Sequence, residues 1–389
     1  MKKAICLLLI ISVFSFIGTS VFATTPTENE NFNLVDTDFK INAKSAMLME
    51  ANTGKILFMQ NEDEKASPAS VTKIMTLLLV MEALQDGRIT KDDKVLISDY
   101  AASMGGSQVF LEEGEQMTVK ELIKCTVIAS ANDAAVALAE HVCGSEKIFV
   151  AAMNKRASEL GMENTNFENV TGLDDTTVNH VTSAEDIAIM SKELLKYDMI
   201  LEFSSLWQDT IRNGEFTLTN TNRLVRYYDG CNGLKTGSTD KAGYCMSATA
   251  KRDGMQLIAV IMGAPTRDVR NAEARALLDF GFSNYAVYSC EQRELENIPI
   301  YNGVKDNTTV YATPFNCIIP KAQIKNVDMV FEIPKNITAP VKNTDCVGKI
   351  TYKLGEEVLG VSDIYVSEDI DEISFWDIFL RVIKNIFAG

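Results

Sequence analysis

Ser70 and Lys73 stand three residues apart in the stretch Ser67-Pro68-Ala69-Ser70-Val71-Thr72-Lys73. On a helix, positions i and i+3 share a face, so the hydroxyl and the amine would project together. A serine becomes a nucleophile when a base takes its proton. A lysine amine is such a base once burial or a neighbouring cation lowers its pKa. The pair therefore spells serine acyl transfer with lysine in the place of histidine. Alone, it is also a common accident of a capped helix. Two further polar sets bear on the choice. Ser130-Ala131-Asn132 falls in a short break between apolar stretches, and Lys235-Thr236-Gly237 lies on a predicted strand. Read alone, the break is a helix–helix turn capped by Asn132 or Asp133.

The elements that must position these residues can be read from periodicity. Ser67 suits an N-cap and Pro68 the first helical position. Ile74 to Met81 is apolar on nearly every side, which predicts a helix buried in a large core and ending near Gly87. Before it, 43–50 and 55–60 flank Asn52-Thr53-Gly54 and predict a β-hairpin. Helices are predicted over 118–129, 134–142, 149–160 and 184–195, with a long loop over 167–183. His180, in that loop, reads as structural. Strands are predicted over 234–237, 244–250 and 257–262, with Gly237 permitting close approach to the backbone beside Lys235. A helix follows over 271–280, with Arg270 at its start. Strands that open and close a helical block predict an α+β domain, one antiparallel sheet with helices on its faces.

Composition narrows the chemistry. The chain has 389 residues, 46% of them apolar, which suits a globular protein of two or more domains. A formal net charge of -16 argues against nucleic acid as a partner. With two histidines, His141 and His180, a histidine triad or histidine-rich metal site is hard to build. Eight cysteines are scattered without a C-x-x-C pair, which argues against zinc and leaves disulfides open. Lys2 and Lys3, the apolar run from Ala4 to Ile17 and Val21-Phe22-Ala23 predict a signal peptide over 1–23, hence secretion. An uncleaved anchor is the second reading. Residues 24–37 read as a mobile leader.

From 289 the pattern changes to short strands between Asn, Pro, Gly and Lys turns, which predicts a small all-β domain to 368 after a main domain over 38–288. In 369–389 an acidic linker leads to a helix opened by Ser374 and Asp377. Trp376, Phe379, Leu380, Ile383, Ile386 and Phe387 share one face, and Asp377, Arg381, Lys384 and Asn385 the other. Docking on the β domain is one reading. An in-plane anchor at the outer face of the cytoplasmic membrane is the favoured one.

Taken together, Ser70-Val71-Thr72-Lys73, Ser130-Ala131-Asn132 and Lys235-Thr236-Gly237 resemble the active-site set of penicillin-binding proteins and serine β-lactamases. The surrounding Pro68 to Thr76 and Gly233 to Tyr244 resemble low-molecular-mass D-alanyl-D-alanine carboxypeptidases over nearly the whole mature chain. The resemblance implies a peptidoglycan stem peptide ending in D-Ala-D-Ala as substrate, β-lactams as covalent inhibitors and no metal or organic cofactor. It implies Ser70 as the acylated nucleophile, Lys73 as general base and Ser130 as proton relay between Lys73, Lys235 and the leaving nitrogen. Asn132 would hold Lys73 and the substrate amide. Lys235, Thr236 and Arg270 would bind the free carboxylate, with Gly237 beside them, and the N–H groups of Ser70 and Ser238 would hold the oxyanion. Alternatives on the same motifs are a serine β-lactamase and a non-catalytic wall-binding protein. Ala131 replaces a common glycine. Asn169-Val170-Thr171-Gly172-Leu173 departs from the usual loop, a change expected to leave the chemistry alone. Thr221 sits where some members have an arginine, which leaves Arg270 as the carboxylate partner. No glutamate loop of the class A β-lactamase kind is found.

Overall fold

The computed structural model describes residues 39–175 and 177–387. The expected signal and leader lie outside the described residues. The sheet of the main domain comprises β1 (Ser45–Glu50), β2 (Ile56–Gln60), β3 (Cys231–Thr239), β4 (Gly243–Arg252) and β5 (Met255–Ala264), in the antiparallel order β2-β1-β5-β4-β3. The hairpin between β1 and β2 turns where the sequence predicts. Its carrier is the buried Glu50 carboxylate, which accepts from Asn52 Nδ2, Thr53 N and Thr53 Oγ1.

β5 is apolar at nearly every position because both of its faces are covered. Ile258, Val260 and Met262 join the main core, as do Met47 and Met49 of β1. Leu257 and Leu48 face the other way, towards helix α6 (Arg267–Asn284), where Gly281 permits the approach. A Cβ at Gly281 would lie 2.6 Å from Leu257 Cδ1 and 2.9 Å from Leu48 Cδ2.

The longer helices before α6 are α1 (Lys73–Gln85), α2 (Val119–Ile128), α3 (Asn132–Cys143), α4 (Glu146–Glu159) and α5 (Ala184–Leu194), beside short helices at Asp99–Ala102, Asp198–Ser204 and Leu224–Tyr227. α1 is central, in contact with α2, α3, α4 and α5, and Ile74, Met75, Leu77, Leu78 and Val80 are fully buried. Truncating a buried leucine to alanine costs about 2–5 kcal/mol, so this packing holds the site-bearing helix firmly. Two caps explain earlier starts than periodicity predicts. Ser145 accepts from Ile148 N and starts α4, and Thr266 accepts from Val269 N and starts α6. The reading of Ser67 as the cap of α1 is corrected: a 3₁₀ turn, Ala69–Thr72, precedes the helix, and Ser67 makes no cap bond.

Beyond α6 the strands are β6 (Tyr285–Cys290), β7 (Arg293–Tyr301), β8 (Asn307–Ala312), β9 (Phe315–Pro320), β10 (Val327–Glu332), β11 (Ile337–Thr338), β12 (Cys346–Leu354) and β13 (Glu357–Val366). β6 pairs with β9, and the others form a sheet in the order β10-β12-β13-β8-β7-β11 around a separate core that includes Val310, Ile350, Tyr352 and Ile364. Helix α7 (Phe375–Phe387) follows. Ser374 and Asp377 form its capping box, and Arg381 hydrogen-bonds Asp306 Oδ1 at 2.9 Å. Phe375, Trp376, Phe379, Leu380, Ile386 and Phe387 are exposed. Among the described residues, no helix is long and apolar enough to cross a membrane. The seven described cysteines are free thiols, three of them (Cys125, Cys231 and Cys245) buried.

Candidate active site

Ser70 sits in the 3₁₀ turn that feeds α1. Ala69, just before it, has φ +47°, a left-handed conformation that costs a non-glycine residue of order 1 kcal/mol or more and persists only where its surroundings impose it. The surroundings do so from three sides. Gly172 packs so closely that a Cβ there would lie 1.8 Å from Ala69 O. Thr72 Oγ1 donates to Ala69 O at 2.8 Å and meets His180 Nε2 at 2.8 Å. Glu168 N donates to His180 Nδ1 at 3.0 Å, so the proton of the neutral ring lies on Nε2 and points at Thr72. Burial lowers the pKa of His180 to about 4, which keeps the ring neutral. On the third side β3 crosses the turn. A Cβ at Gly237 would lie 2.7 Å from Ser70 N and 2.9 Å from Val71 N, so only glycine fits.

Lys73 begins α1 and is fully buried. Its Nζ donates to Ser70 Oγ at 3.0 Å, to Asn132 Oδ1 at 2.5 Å and to Thr171 O at 2.8 Å. Those are three acceptors for the three hydrogens of an ammonium. The neutral amine has two hydrogens and one lone pair. Asn132 Oδ1 and the Thr171 carbonyl can only accept, so the lone pair must take the Ser70 direction. Burial, then the charge of Lys235, holds the amine well below the usual lysine range.

Asn132 is the first residue of α3, and its side chain does not cap the helix. Its Nδ2 donates to Gly105 O at 2.7 Å, which fixes Oδ1 toward Lys73. Asp133 accepts from Val109 N and Leu111 N, each at 3.0–3.1 Å by its Oδ2, and so ties the same loop to the start of α3. Ser130 has φ +62°. Its hydroxyl accepts from Lys235 Nζ at 2.8 Å, and Lys235 also donates to Thr236 O at 2.8 Å. The described bonds of Ser130 reach Lys235 but not Lys73. Lys235 is buried in β3, and burial followed by Arg270 lowers its pKa to about 7.

Beside these groups is a cleft of about 450 Å³ whose lining includes Ser70, Ser130, Thr236, Gly237 and Ser238 together with Arg223, Arg267 and Arg270. Thr236 Oγ1 donates to Thr221 Oγ1 at 2.8 Å. Arg270 is held by Asn271 Oδ1 (2.9 Å from Nη2) and Cys245 O (3.5 Å from Nη1). Its guanidinium is lowered to about 10 by burial, then by Arg267, with Arg223 adding to the effect. The arrangement can supply a nucleophile with a fixed base, a second lysine bonded to Ser130, and cations for an anionic substrate end. That is the equipment of serine acyl transfer on a substrate with a carboxylate.

Residues 31–266 match the family described as D-alanyl-D-alanine carboxypeptidase. The chain belongs to that family. Residues 282–372 match the C-terminal domain of penicillin-binding protein 5. Among curated relatives, the chain is similar to the D-alanyl-D-alanine carboxypeptidase DacF of Bacillus subtilis, with 45% identity over 340 residues, covering 86% of this chain and 87% of the relative. Among solved structures it is similar to penicillin-binding protein 5 from Haemophilus influenzae, with TM-score 0.72 and 33% identity, covering 87% of this chain and 100% of that one. It is also similar to penicillin-binding protein D2 from Listeria monocytogenes in an ampicillin-bound form, with TM-score 0.58 and 30% identity, covering 64% of this chain and 100% of that one.

Of the nine residues singled out in the sequence, Ser70, Ser130, Thr236, Gly237, Ser238 and Arg270 line the cleft, Lys73 bonds Ser70, Lys235 bonds Ser130, and Asn132 bonds Lys73. Three features escaped sequence reading. The arginine sought at Thr221 stands two residues on, at Arg223, in the cleft wall. The loop around Thr171 reaches the chemistry through a backbone carbonyl, which any residue could supply, so its departure from the usual sequence leaves that bond in place. His180 and Thr72 fix the nucleophile turn across 108 residues of sequence, and no local pattern signals that pairing.

Proposed function

We propose that this chain is a serine D-alanyl-D-alanine carboxypeptidase of the cell wall. Ser70 attacks the carbonyl between the two D-alanines while Lys73 takes the Oγ proton. The oxyanion is stabilised by the N–H groups of Ser70 and Ser238. The C–N bond breaks, the leaving amine gains a proton delivered through Ser130, and an ester to Ser70 remains. Water then cleaves the ester and frees the shortened peptide. Thr236, Lys235, Arg223 and Arg270 receive the terminal carboxylate, which accounts for cutting at a chain end. The hydrogen bonds of Lys73 carry this reading, because they leave its lone pair one direction, toward Ser70.

Assay of purified protein on a stem pentapeptide tests it. Release of one D-alanine per peptide is expected, with slow turnover of penicillin. Rapid repeated penicillin hydrolysis without D-alanine release would instead indicate a β-lactamase.

The protein works outside the cytoplasmic membrane in this proposal, secreted by its first 23 residues and held to the outer face by α7. Support for the anchor is physical. The aromatic side chains of α7 are exposed, Phe387 at 84% and Trp376 at 68%, while Arg381 turns to the β domain. Such a face suits the boundary between headgroups and acyl chains.

A further inference from the structure

The cleft holds more positive charge than one carboxylate requires. A chain of formal net charge -16 brings Arg223, Arg267 and Arg270 into its lining, with Lys235 near enough to feel the charge of Arg270. Arg270 and Lys235 are buried and hydrogen-bonded. Arg223 and Arg267 are exposed and line the cleft, and among the described residues their guanidinium groups make no hydrogen bond or ion pair. Both are near enough to Arg270 to oppose its charge. Asp268, the acidic residue in the first turn of α6, is not among the lining residues.

We propose that the subsite for the leaving residue accepts a dicarboxylic D-amino acid, with Arg267 as the group that recognises its second carboxylate. The inference rests on the carboxypeptidase reading and extends its substrate class. Arg267 and Arg270 are i and i+3 in α6, so their Cβ atoms are about 5–6 Å apart on one helix face. A leaving residue whose α-carboxylate lies at Arg270 and Thr236 carries its side-chain carboxylate a similar distance away, which brings it to Arg267. The chemistry is unchanged: Ser70 displaces the amine of the leaving residue, that amine takes up the serine proton, and water hydrolyses the ester. The products are the shortened peptide and free dicarboxylic D-amino acid.

The test compares full-chain enzyme on acyl-L-Lys-D-Ala-X peptides with X as D-Ala, D-Glu and D-Gln. D-Glu and D-Gln have nearly the same shape and differ in charge. At low salt, kcat/KM for D-Glu is expected to exceed that for D-Gln by about ten-fold, corresponding to about 1.4 kcal/mol. In Arg267→Gln, an exposed and conservative change, that ratio is expected to fall to about one. D-Glu no better than D-Gln, or a ratio that survives in Arg267→Gln, overturns the proposal while D-Ala release leaves the carboxypeptidase reading intact. Failure of the parent enzyme to release D-Ala overturns both.

Discussion

Lys73 Nζ lies 3.0 Å from Ser70 Oγ, and the other two bonds of the amine, to Asn132 and Thr171, leave its lone pair no other partner. Orientation and proton affinity are thereby set by different parts of the fold. The α3 start and the 167–183 loop orient the amine. Burial and Lys235 lower its pKa.

Lys73→Arg separates charge from basicity. A guanidinium keeps the positive charge and cannot be deprotonated under working conditions. General-base catalysis contributes about 10²–10⁴-fold, so acylation by a fluorescent penicillin should slow by that order. Acylation within about three-fold of the parent rate would exclude Lys73 as the base.

The pH profile has a predicted sign on each side. Lys73 acts as the neutral amine, so kcat/KM should fall as pH drops through its depressed pKa. Lys235 binds an anion as the cation, and its pKa is lowered to about 7, so kcat/KM should also fall as pH rises past that value. A bound carboxylate favours charged Lys235, so the alkaline limb of kcat should lie higher than that of kcat/KM. Coincident alkaline limbs would mean that Lys235 does not meet the carboxylate. Stability should move the other way: Lys235 binds fewer protons folded than unfolded between about 7 and its ordinary 10.5, so folding is favoured as pH rises through that window.

Thr72→Val keeps the shape of a side chain that links His180 to Ala69 O and removes its hydroxyl. Losing a buried hydrogen-bond partner costs about 1–3 kcal/mol. Because the turn carries the nucleophile, kcat should fall about ten-fold or more with KM little changed, and Thr72→Ser should restore most of it. Equal loss of stability in both variants with kcat untouched would make the link structural only.

Deleting residues 374–389 should free the protein from membranes without reducing D-alanine release from a soluble pentapeptide. Membrane retention of the truncated chain in high salt would place the anchor elsewhere.

The periodic elements were legible because burial imposes periodicity. The all-round apolar α1 and the continuous run of β5 each read directly as buried. The site was legible only as a set, since Ser70 with Lys73 has no meaning until Ser130, Asn132 and Lys235 stand beside it. The start of α1 was misread because Ala69 adopts a left-handed conformation imposed by Gly172, 103 positions away in sequence order and in contact in space. The pairing of His180 with Thr72 and the place of Arg223 in the cleft wall are not visible in the sequence for a related reason. Their importance lies in what the fold sets opposite them, Thr72 and the cleft, and a single sequence carries no trace of that.

Intact-mass measurement of the protein after exposure to penicillin and to a D-Ala-D-Ala peptide tests the central claim most directly. One penicilloyl adduct is expected, located on the peptide containing Ser70, with release of D-alanine from the substrate and loss of both in Ser70→Ala. An adduct on any other residue, or undiminished D-alanine release by Ser70→Ala, would contradict it.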